Sequence, residues 1–340
     1  MMTIKKLLLL LMTGLLFACG QKPDSTDPKQ ASQEGQAETA SKPPQTDQKN
    51  ETKPASDQTT ELDQLTVLSQ TEDYVQYELN VVRDGFKIHG KLFLPKGDQE
   101  SWPLTILAHG INQTDLTTTP YATHLAKRGV AAYVFDFIGG APLNSSDGDF
   151  SDMTVLTELA DLEAIYQKLT DYKAIDSSQT YLLGDSQGGL VATMMAAKHP
   201  EDIQGMILLY PAFNMPSLVH DFVPDKEEIP DSIDIMGVSV SRYYIEDMLK
   251  VDVEDIITSY PGPVLIVHGE DDVLVPPVYA QKAAELFPKA HLEMIPGGKH
   301  EFSGSDFIKA LSYIDKYMVN QLGDEHYQLT IDEEESADKG

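Results

Sequence analysis

Residues 181–190 of the chain read Tyr-Leu-Leu-Gly-Asp-Ser-Gln-Gly-Gly-Leu. Three apolar residues lead into a serine that has a glycine two positions before it and another two positions after it, and the chain then continues to Lys198 as a helix-like stretch. The order of strand, sharp turn and helix is the setting that a nucleophilic serine requires. Because the N-terminus of the following helix favours developing negative charge, the segment predicts Ser186 as a nucleophile. The alternative is a plain glycine-rich connection.

A serine hydroxyl is a weak nucleophile without a base, so a histidine must lie beside it in the fold. The chain has nine histidines. His300 lies in a loop after the last predicted strand and before the final predicted helix, and it follows both Ser186 and an acidic loop. This chain order of serine, acid and histidine predicts His300 as the base. His109 is expected to brace a loop, and His199 is expected to lie on the surface.

The third member of such a site is an acid that orients the imidazole. Residues 268–276 read His-Gly-Glu-Asp-Asp-Val-Leu-Val-Pro, so three acids follow one another in the loop after a predicted strand. From the residues alone, Glu270, Asp271 and Asp272 are all candidates.

The pattern around these loops alternates between short apolar runs and helix-like stretches. Strands are predicted at 104–108, 130–135, 181–183, 206–209, 264–267 and 292–295, and helices at 121–127, 155–170, 189–198, 278–287 and 307–320. Before them, the runs 74–82 and 86–94 flank Arg-Asp-Gly, which is typical of a hairpin. Continuous apolar strands between helices predict an α/β fold with a mostly parallel sheet that is covered on both faces. From 213 to 260 the alternation fails, which predicts an insertion above the sheet.

With these motifs, the chain resembles the α/β-hydrolases over nearly all of residues 74–322. In that family the acidic loop reads H-G-x-x-D-x-x-V-P, so the resemblance implies Asp272 as the acid, with Asp271 as the alternative. Residues 109–112 read His-Gly-Ile-Asn and match the family's H-G-[F/I] loop. The resemblance therefore implies an oxyanion hole made by the backbone N–H groups of Ile111 and Gln187.

A narrower resemblance is to bacterial feruloyl or cinnamoyl esterases and to acylaminoacyl-peptidase-like hydrolases. It rests on the H-G-[F/I]-x loop, the G-x-S-Q-G-G turn at Ser186, the G-x-x-H segment at His300, and an S-D-G-x-F…M-T-V pattern in residues 146–155. The chain departs from this branch at residues 136–142, Asp-Phe-Ile-Gly-Gly-Ala-Pro, where members more often read D-F-R-G-H-G. The esterases share the larger part of the pattern.

The N-terminus carries a different kind of signal. Lys5 and Lys6 precede an apolar run from Leu7 to Phe17, which has the length of a signal-peptide core and is too short to span a bilayer comfortably. Residues 16–19, Leu-Phe-Ala-Cys, resemble the lipobox of bacterial lipoproteins, which implies cleavage after residue 18 and acylation of Cys19. An ordinary secretory signal is the alternative.

The expected domain organisation combines these two resemblances with the composition of the remaining segments. It comprises a lipoprotein signal peptide at 1–18, a disordered tether at 19–64 that is rich in Pro, Gln, Ser, Thr and Lys, an α/β-hydrolase domain at 65–322, and an acidic tail at 323–340. The predicted location is the extracytoplasmic face of the bacterial cell membrane, to which the protein is lipid-anchored.

Charge and cysteine content narrow the function further. The 340 residues include 25 Lys and Arg against 54 Asp and Glu, a formal charge of −29, which argues against nucleic acid as a partner. A single cysteine excludes an internal disulfide framework and a multi-cysteine metal site. The expected reaction needs no metal and no organic cofactor. The prediction is a serine hydrolase for small neutral esters, and the alternatives are a peptidase or acyltransferase with the same triad, or an inactive surface-binding lipoprotein.

Overall fold

The computed structural model describes residues 62–225, 227–324 and 326–329. The predicted signal peptide, Cys19 and nearly all of the predicted tether lie outside these residues, as does the acidic tail from residue 330 onward. No helix within the described ranges is both long enough and apolar enough to cross a membrane.

A nine-stranded sheet forms the centre of the protein, in the order β1-β2-β5-β7-β6-β8-β9-β12-β13. Two short hairpins, β3–β4 and β10–β11, lie outside it. The strands are β1 Thr66–Gln70, β2 Tyr74–Glu78, β3 Val81–Arg83, β4 Phe86–Ile88, β5 Gly90–Pro95, β6 Trp102–Ala108, β7 Ala131–Phe135, β8 Ile175–Asp185, β9 Gly205–Leu209, β10 Ser232–Ile235, β11 Val238–Ser241, β12 Val264–Gly269 and β13 Ala290–Ile295. The six strands from β7 to β13 in the sheet order are parallel, whereas β1, β2 and β5 pair antiparallel at one side.

The described residues contain eight α-helices, of which seven lie between strands and the last follows β13. They are α1 Asp115–Ala126, α2 Val155–Leu169, α3 Gln187–Lys198, α4 Met215–Phe222, α5 Arg242–Met248, α6 Val253–Thr258, α7 Val278–Leu286 and α8 Gly304–Leu322, and short 3-10 turns lie at Leu62–Gln64 and Phe150–Asp152. The predicted mostly parallel α/β sheet is confirmed.

Both faces of the central strands are buried, which explains why their sequences are continuous apolar runs. In β8, Leu182 packs into the larger hydrophobic cluster, whereas Tyr181 and Leu183 belong to a second cluster on the opposite face. In β12, Ile266 likewise packs into the larger cluster and Leu265 into the second one. The sheet is therefore the middle layer of three, and its parallel strands end at one common edge, where Ser186 follows β8.

The first helix differs from the prediction. It begins at Asp115, six residues before the predicted start at 121, and it contains Pro120. A proline and a run of threonines argue locally against a helix. Tertiary contacts outweigh this preference, since the Asp136 carboxylate accepts the N–H of Asp115 at 2.8 Å and Lys91 forms an ion pair with the Asp115 carboxylate.

The predicted hairpin around residues 83–85 is present, but each of its strands is broken in two. Asp84 and Gly85 both have positive φ and form the turn between β3 and β4. At the break, the Tyr133 hydroxyl donates to the Leu79 carbonyl at 2.7 Å, and a Cβ at Gly90 would lie 1.9 Å from the same hydroxyl oxygen. Beyond this break, the outer parts of both runs belong to the large sheet as β2 and β5.

The insertion predicted at 213–260 consists of α4, the β10–β11 hairpin, α5 and α6. Many of its apolar side chains are buried in the main core, among them Phe213, Met215, Tyr244 and Met248. Phe222 and Tyr243 are largely exposed. The insertion is therefore held to the body by its own hydrophobic residues.

Candidate active site

Ser186 occupies a strained turn between β8 and α3, with φ 50° and ψ −119°. The neighbouring glycines make this turn possible because other backbone lies against them. A Cβ at Gly184 would lie 2.4 Å from the Gly188 carbonyl oxygen, and a Cβ at Gly188 would lie 2.1 Å from the Ala108 carbonyl oxygen. A side chain at either position would push α3 away from the ends of β6 and β8. The G-x-S-x-G spacing is therefore a packing requirement as well as a motif.

The structure brings together the three residues predicted as a triad. His300 Nε2 lies 3.0 Å from Ser186 Oγ, and His300 Nδ1 lies 2.8 Å from Asp272 Oδ2. If Nδ1 carries the proton and donates to the carboxylate, Nε2 is free to accept the serine proton. Asp271 is exposed, and its backbone N–H donates to the Gly298 carbonyl. Of the two aspartates, Asp272 is the one that reaches the imidazole.

The Asp272 carboxylate is held ionised. Burial opposes its charge, but hydrogen bonds from His268 and His300 and from the backbone N–H of Val275 outweigh this and lower the pKa of Asp272 well below its ordinary value. Oδ1 accepts the N–H groups of Leu274 and Val275, each at 2.9 Å, while Oδ2 faces the imidazole. The acid is thus fixed in one orientation and remains negative, as the stabilisation of a histidine cation requires.

The loop after β6 closes the other side of Ser186. A Cβ at Gly110 would lie 3.0 Å from the Ser186 Cβ, so the loop backbone passes directly over the serine. Within the described residues, no acceptor takes the backbone N–H of Ile111 or of Gln187. These two groups are the predicted oxyanion donors.

His109 braces this loop, as its sequence position suggested. Its Nδ1 lies 2.8 Å from the Gly110 carbonyl, and its Nε2 accepts the Phe137 N–H at 3.2 Å. Burial lowers the pKa of His109, which keeps the ring neutral, as this pair of hydrogen bonds requires. The ring also packs edge-on against Phe137 at 4.9 Å between centroids.

Two further contacts hold the loop that carries His300, and neither was predicted. The Gln113 side chain accepts the Gly110 N–H at 3.0 Å and donates to Glu301 Oε1 at 2.7 Å, so it joins the oxyanion loop to the residue after His300. The Tyr210 ring packs edge-on against the His300 ring at 4.7 Å between centroids. Tyr210 follows β9 with φ 38°, a conformation that no sequence motif announces.

Two buried carboxyl groups flank the serine turn. Burial and the nearby charge of Glu301 raise the pKa of Asp185 to about 7. Burial, together with the charge of Asp161, raises the pKa of Glu158 to about 8, although a hydrogen bond from Gln187 opposes the shift. Glu158 could not be recognised from its sequence, because an acidic residue in the first turn of a helix such as α2 is ordinary.

Three other histidines have different surroundings. His268 Nε2 lies 2.9 Å from the Val275 carbonyl and 3.3 Å from Asp272 Oδ2, so this residue supports the acid. His124, which has no motif around it, is buried and lies 2.7 Å from Asp315. His199 is partly exposed and lies 2.6 Å from Glu163.

Comparisons with known proteins find similarity to several hydrolases. A family model described as "Hydrolase_4: Serine aminopeptidase, S33" matches residues 100–234. The monoglyceride lipase of Saccharomyces cerevisiae is 24% identical over 293 residues, which cover 72% of this chain and 91% of the lipase. The structure of Est1E from Butyrivibrio proteoclasticus with ferulic acid bound is similar with a TM-score of 0.66 and 28% identity, over 72% of this chain and 99% of Est1E.

The monoacylglycerol lipase of Paleococcus ferrophilus shares the fold, with a TM-score of 0.51 and 18% identity over 65% of this chain and 96% of that chain. The chain therefore has the α/β-hydrolase fold, and its similarity to esterases and lipases supports a hydrolase that acts on carboxylic esters.

Proposed function

We propose that the protein is a serine hydrolase that cleaves small neutral carboxylic esters through an acyl-enzyme on Ser186. The observation that carries this proposal is the continuous hydrogen-bonded line from Ser186 Oγ through the His300 imidazole to the Asp272 carboxylate. A histidine in contact with both a strained serine and a buried, ionised acid is the arrangement that activates a hydroxyl group.

The reaction runs in two halves. Ser186 Oγ attacks the ester carbonyl while His300 Nε2 takes its proton, and the N–H groups of Ile111 and Gln187 bind the oxyanion of the tetrahedral intermediate. When the intermediate collapses, the C–O bond to the alcohol breaks and His300 gives its proton to the leaving oxygen. Water then attacks the acyl-enzyme with His300 again as base, which releases the carboxylic acid and restores the serine. Asp272 stabilises the imidazolium in both halves.

The insertion is proposed to supply the wall of the acyl pocket. Phe222 and Tyr243 present apolar surface from this segment, since their exposed fractions are 55% and 61%. Its acids, Asp221, Asp225, Glu227, Glu228, Asp231 and Asp234, would repel anionic substrates. A preference for neutral, small to medium acyl esters over phosphorylated or polycarboxylate esters follows.

The proposal includes location. Acylation at Cys19 would hold the domain on the extracytoplasmic face of a bacterial membrane, because two or more acyl chains anchor a protein stably. The polar residues between Cys19 and the first strand would act as a flexible connection.

The test is hydrolysis of p-nitrophenyl esters that range from acetate to longer and aromatic acyl groups. We expect turnover by the wild-type protein, and Ser186→Ala is expected to lower kcat by about 10⁴-fold or more while leaving the fold intact. More than about a tenth of the wild-type activity in Ser186→Ala would contradict the assignment.

A peptidase is the second candidate, because the matching family model is described as a serine aminopeptidase. Measuring kcat/KM on aminoacyl p-nitroanilides as well as on the esters distinguishes the peptidase from the esterase. A higher kcat/KM on the anilides than on the esters would favour the peptidase.

A further inference from the structure

A buried chain of side-chain hydrogen bonds runs from the insertion to the serine turn. The Tyr244 hydroxyl, from α5, donates to Gln187 Oε1 at 2.6 Å. Gln187 Nε2 donates in turn to Glu158 Oε2, in α2, at 2.8 Å. All three residues have 0% exposure. Both ends of one amide group are therefore held, one by the insertion and the other by the body of the protein.

The hydrogen bonds of this series all run in one direction, from Tyr244 through Gln187 to Glu158. Burial and the neighbouring Glu158 raise the pKa of Tyr244 well above its ordinary value, so its hydroxyl keeps its proton and can donate. The Gln187 amide then presents its oxygen to the tyrosine and its NH₂ group to the carboxyl. A buried amide without either partner would lose a hydrogen bond that no water replaces, which makes the orientation costly to change.

Gln187 is also the first residue of α3 and directly follows Ser186. Its backbone N–H is one of the two proposed oxyanion donors. An oxyanion donor stabilises the transition state only when it is already directed at the position where the charge develops. Because both the oxygen and the nitrogen of the Gln187 amide group are held, the side chain limits rotation of the backbone to which it is attached.

We propose that Tyr244 and Glu158 are positioning residues that hold the Gln187 N–H in its oxyanion-binding orientation, so that the insertion takes part in transition-state stabilisation as well as in forming the pocket. This inference rests on the proposed esterase function. The juxtaposition that carries it is the Tyr244–Gln187–Glu158 hydrogen-bonded chain, whose central residue provides the oxyanion donor.

The first test compares two Tyr→Phe variants on p-nitrophenyl acetate. Tyr244→Phe keeps the ring and removes the bond to Gln187. Complete loss of an oxyanion donor costs about 10²–10³ in kcat, so a donor that is present but loosely held is expected to cost about 10-fold in kcat, with KM changed less than about twofold. Tyr260→Phe is the matched control. The buried Tyr260 hydroxyl donates to the Ile203 carbonyl at 2.9 Å and takes no part in the Tyr244–Gln187–Glu158 hydrogen bonds. This control variant should keep the wild-type kcat.

A second readout isolates the oxyanion. A trifluoromethyl ketone forms a hemiketal with the serine, and its oxyanion occupies the same hole as that of the transition state. Tyr244→Phe should weaken binding of this compound by about the same factor as kcat falls. A general loosening of the pocket would instead raise KM and change the relative rates on esters of different acyl length. Such a result would overturn the inference.

Variants at Glu158 test the other end. Glu158→Leu removes the acceptor of the Gln187 NH₂ group and should lower kcat by about as much as Tyr244→Phe, whereas Glu158→Gln keeps an acceptor oxygen and should restore most of the activity. The double variant Tyr244→Phe/Glu158→Leu should lose less than the product of the two single losses, because both act through the same amide.

The outcomes distinguish this inference from the function on which it rests. If the wild-type protein hydrolyses no ester, the proposed function fails. If the wild-type protein and Tyr260→Phe are active and Tyr244→Phe matches them in kcat and in ketone affinity, the proposed function stands and the inference is wrong.

Discussion

Asp272 Oδ2 lies 2.8 Å from His300 Nδ1, while the aspartate immediately before it in the chain is exposed to solvent. The backbone explains the difference. Asp272 turns inward because its other oxygen accepts two successive N–H groups, those of Leu274 and Val275, in the loop after β12. The loop therefore selects one of three consecutive acids by its own hydrogen bonds.

This selection predicts opposite results for two neighbouring substitutions. Asp272→Asn should lower kcat by about 10⁴-fold, since an amide cannot hold the imidazole in the required tautomer or stabilise its cation. Asp271→Asn, which changes an exposed side chain of the same type, should lower kcat less than about threefold. Steady-state kinetics on p-nitrophenyl acetate measures both. The reverse ranking would move the acid to Asp271.

Glu158 should make the stability of the protein depend on pH. The pKa of Glu158 is raised from 4.5 to about 8, so the folded protein retains a proton that the unfolded chain loses above its own pKa. Stability contributed by this group is therefore present below about pH 4.5 and is lost as the pH rises toward about 8. In Glu158→Gln this loss of stability at high pH should not occur, because a glutamine side chain does not titrate.

Urea unfolding at several pH values between these limits tests the effect. The free energy of unfolding of Glu158→Gln, relative to the wild type, should increase with pH by on the order of 1 kcal/mol per pH unit. Glu201→Gln, at an exposed glutamate, is the matched control. A stability difference for Glu158→Gln that is independent of pH would show that Glu158 is ionised in the folded state.

Asp315 is expected to be important for folding and not for catalysis. Its Oδ1 lies 2.7 Å from His124, 3.0 Å from Arg128 and 2.5 Å from the Tyr327 hydroxyl. Burial opposes its charge, but these partners, with His124 foremost, lower its pKa. The cluster joins α1, α8 and the segment after α8.

Asp315→Asn should therefore lower the free energy of unfolding by about 3 kcal/mol, because it removes the one charge that these buried donors share. The effect of the carboxylate should diminish in acid as the pH falls through the lowered pKa of Asp315. Asp306→Asn, at a partly exposed position of the same helix, should cost less than about 0.5 kcal/mol. Equal destabilisation by the two variants in urea unfolding would refute the role of the cluster.

The proposed lipid anchor is tested by fractionating cells that express the full chain. Cys19→Ser removes the thiol that acylation requires, so the protein should appear either as an uncleaved precursor or in the soluble fraction. The wild-type protein should be found with the membranes and should incorporate a labelled fatty acid. Membrane association of a cleaved Cys19→Ser protein would mean that another feature holds it there.

Local motifs predicted the parts of the site that depend on neighbouring residues. Ser186 could be predicted because the close approaches that its turn requires leave glycines on both sides. Asp272 was singled out only through the family resemblance, since three adjacent acids look alike in sequence. The Tyr244–Gln187–Glu158 chain could not be predicted, because its members are separated by 57 and 29 residues and each is ordinary in its own segment.

The insertion also contains a local hairpin pattern in its sequence. Residues 232–241 read Ser-Ile-Asp-Ile-Met-Gly-Val-Ser-Val-Ser, with alternating apolar residues on both sides of Met-Gly. This pattern is typical of a hairpin. The structure has β10 and β11 there, joined by Met236 and Gly237 at positive φ. The start of α1, by contrast, could not be predicted from the local sequence, because it depends on contacts of the helix with Lys91 and Asp136.

The central claim is that Ser186 is the nucleophile of a serine hydrolase, and it can be tested without knowing the natural substrate. The purified protein is treated with a fluorophosphonate probe, and the modified peptide is identified by mass spectrometry. The account predicts one adduct, on Ser186, whose formation is abolished in Ser186→Ala and greatly slowed in Asp272→Asn. An adduct on another residue of the wild-type protein, or no adduct while ester hydrolysis proceeds, would contradict it.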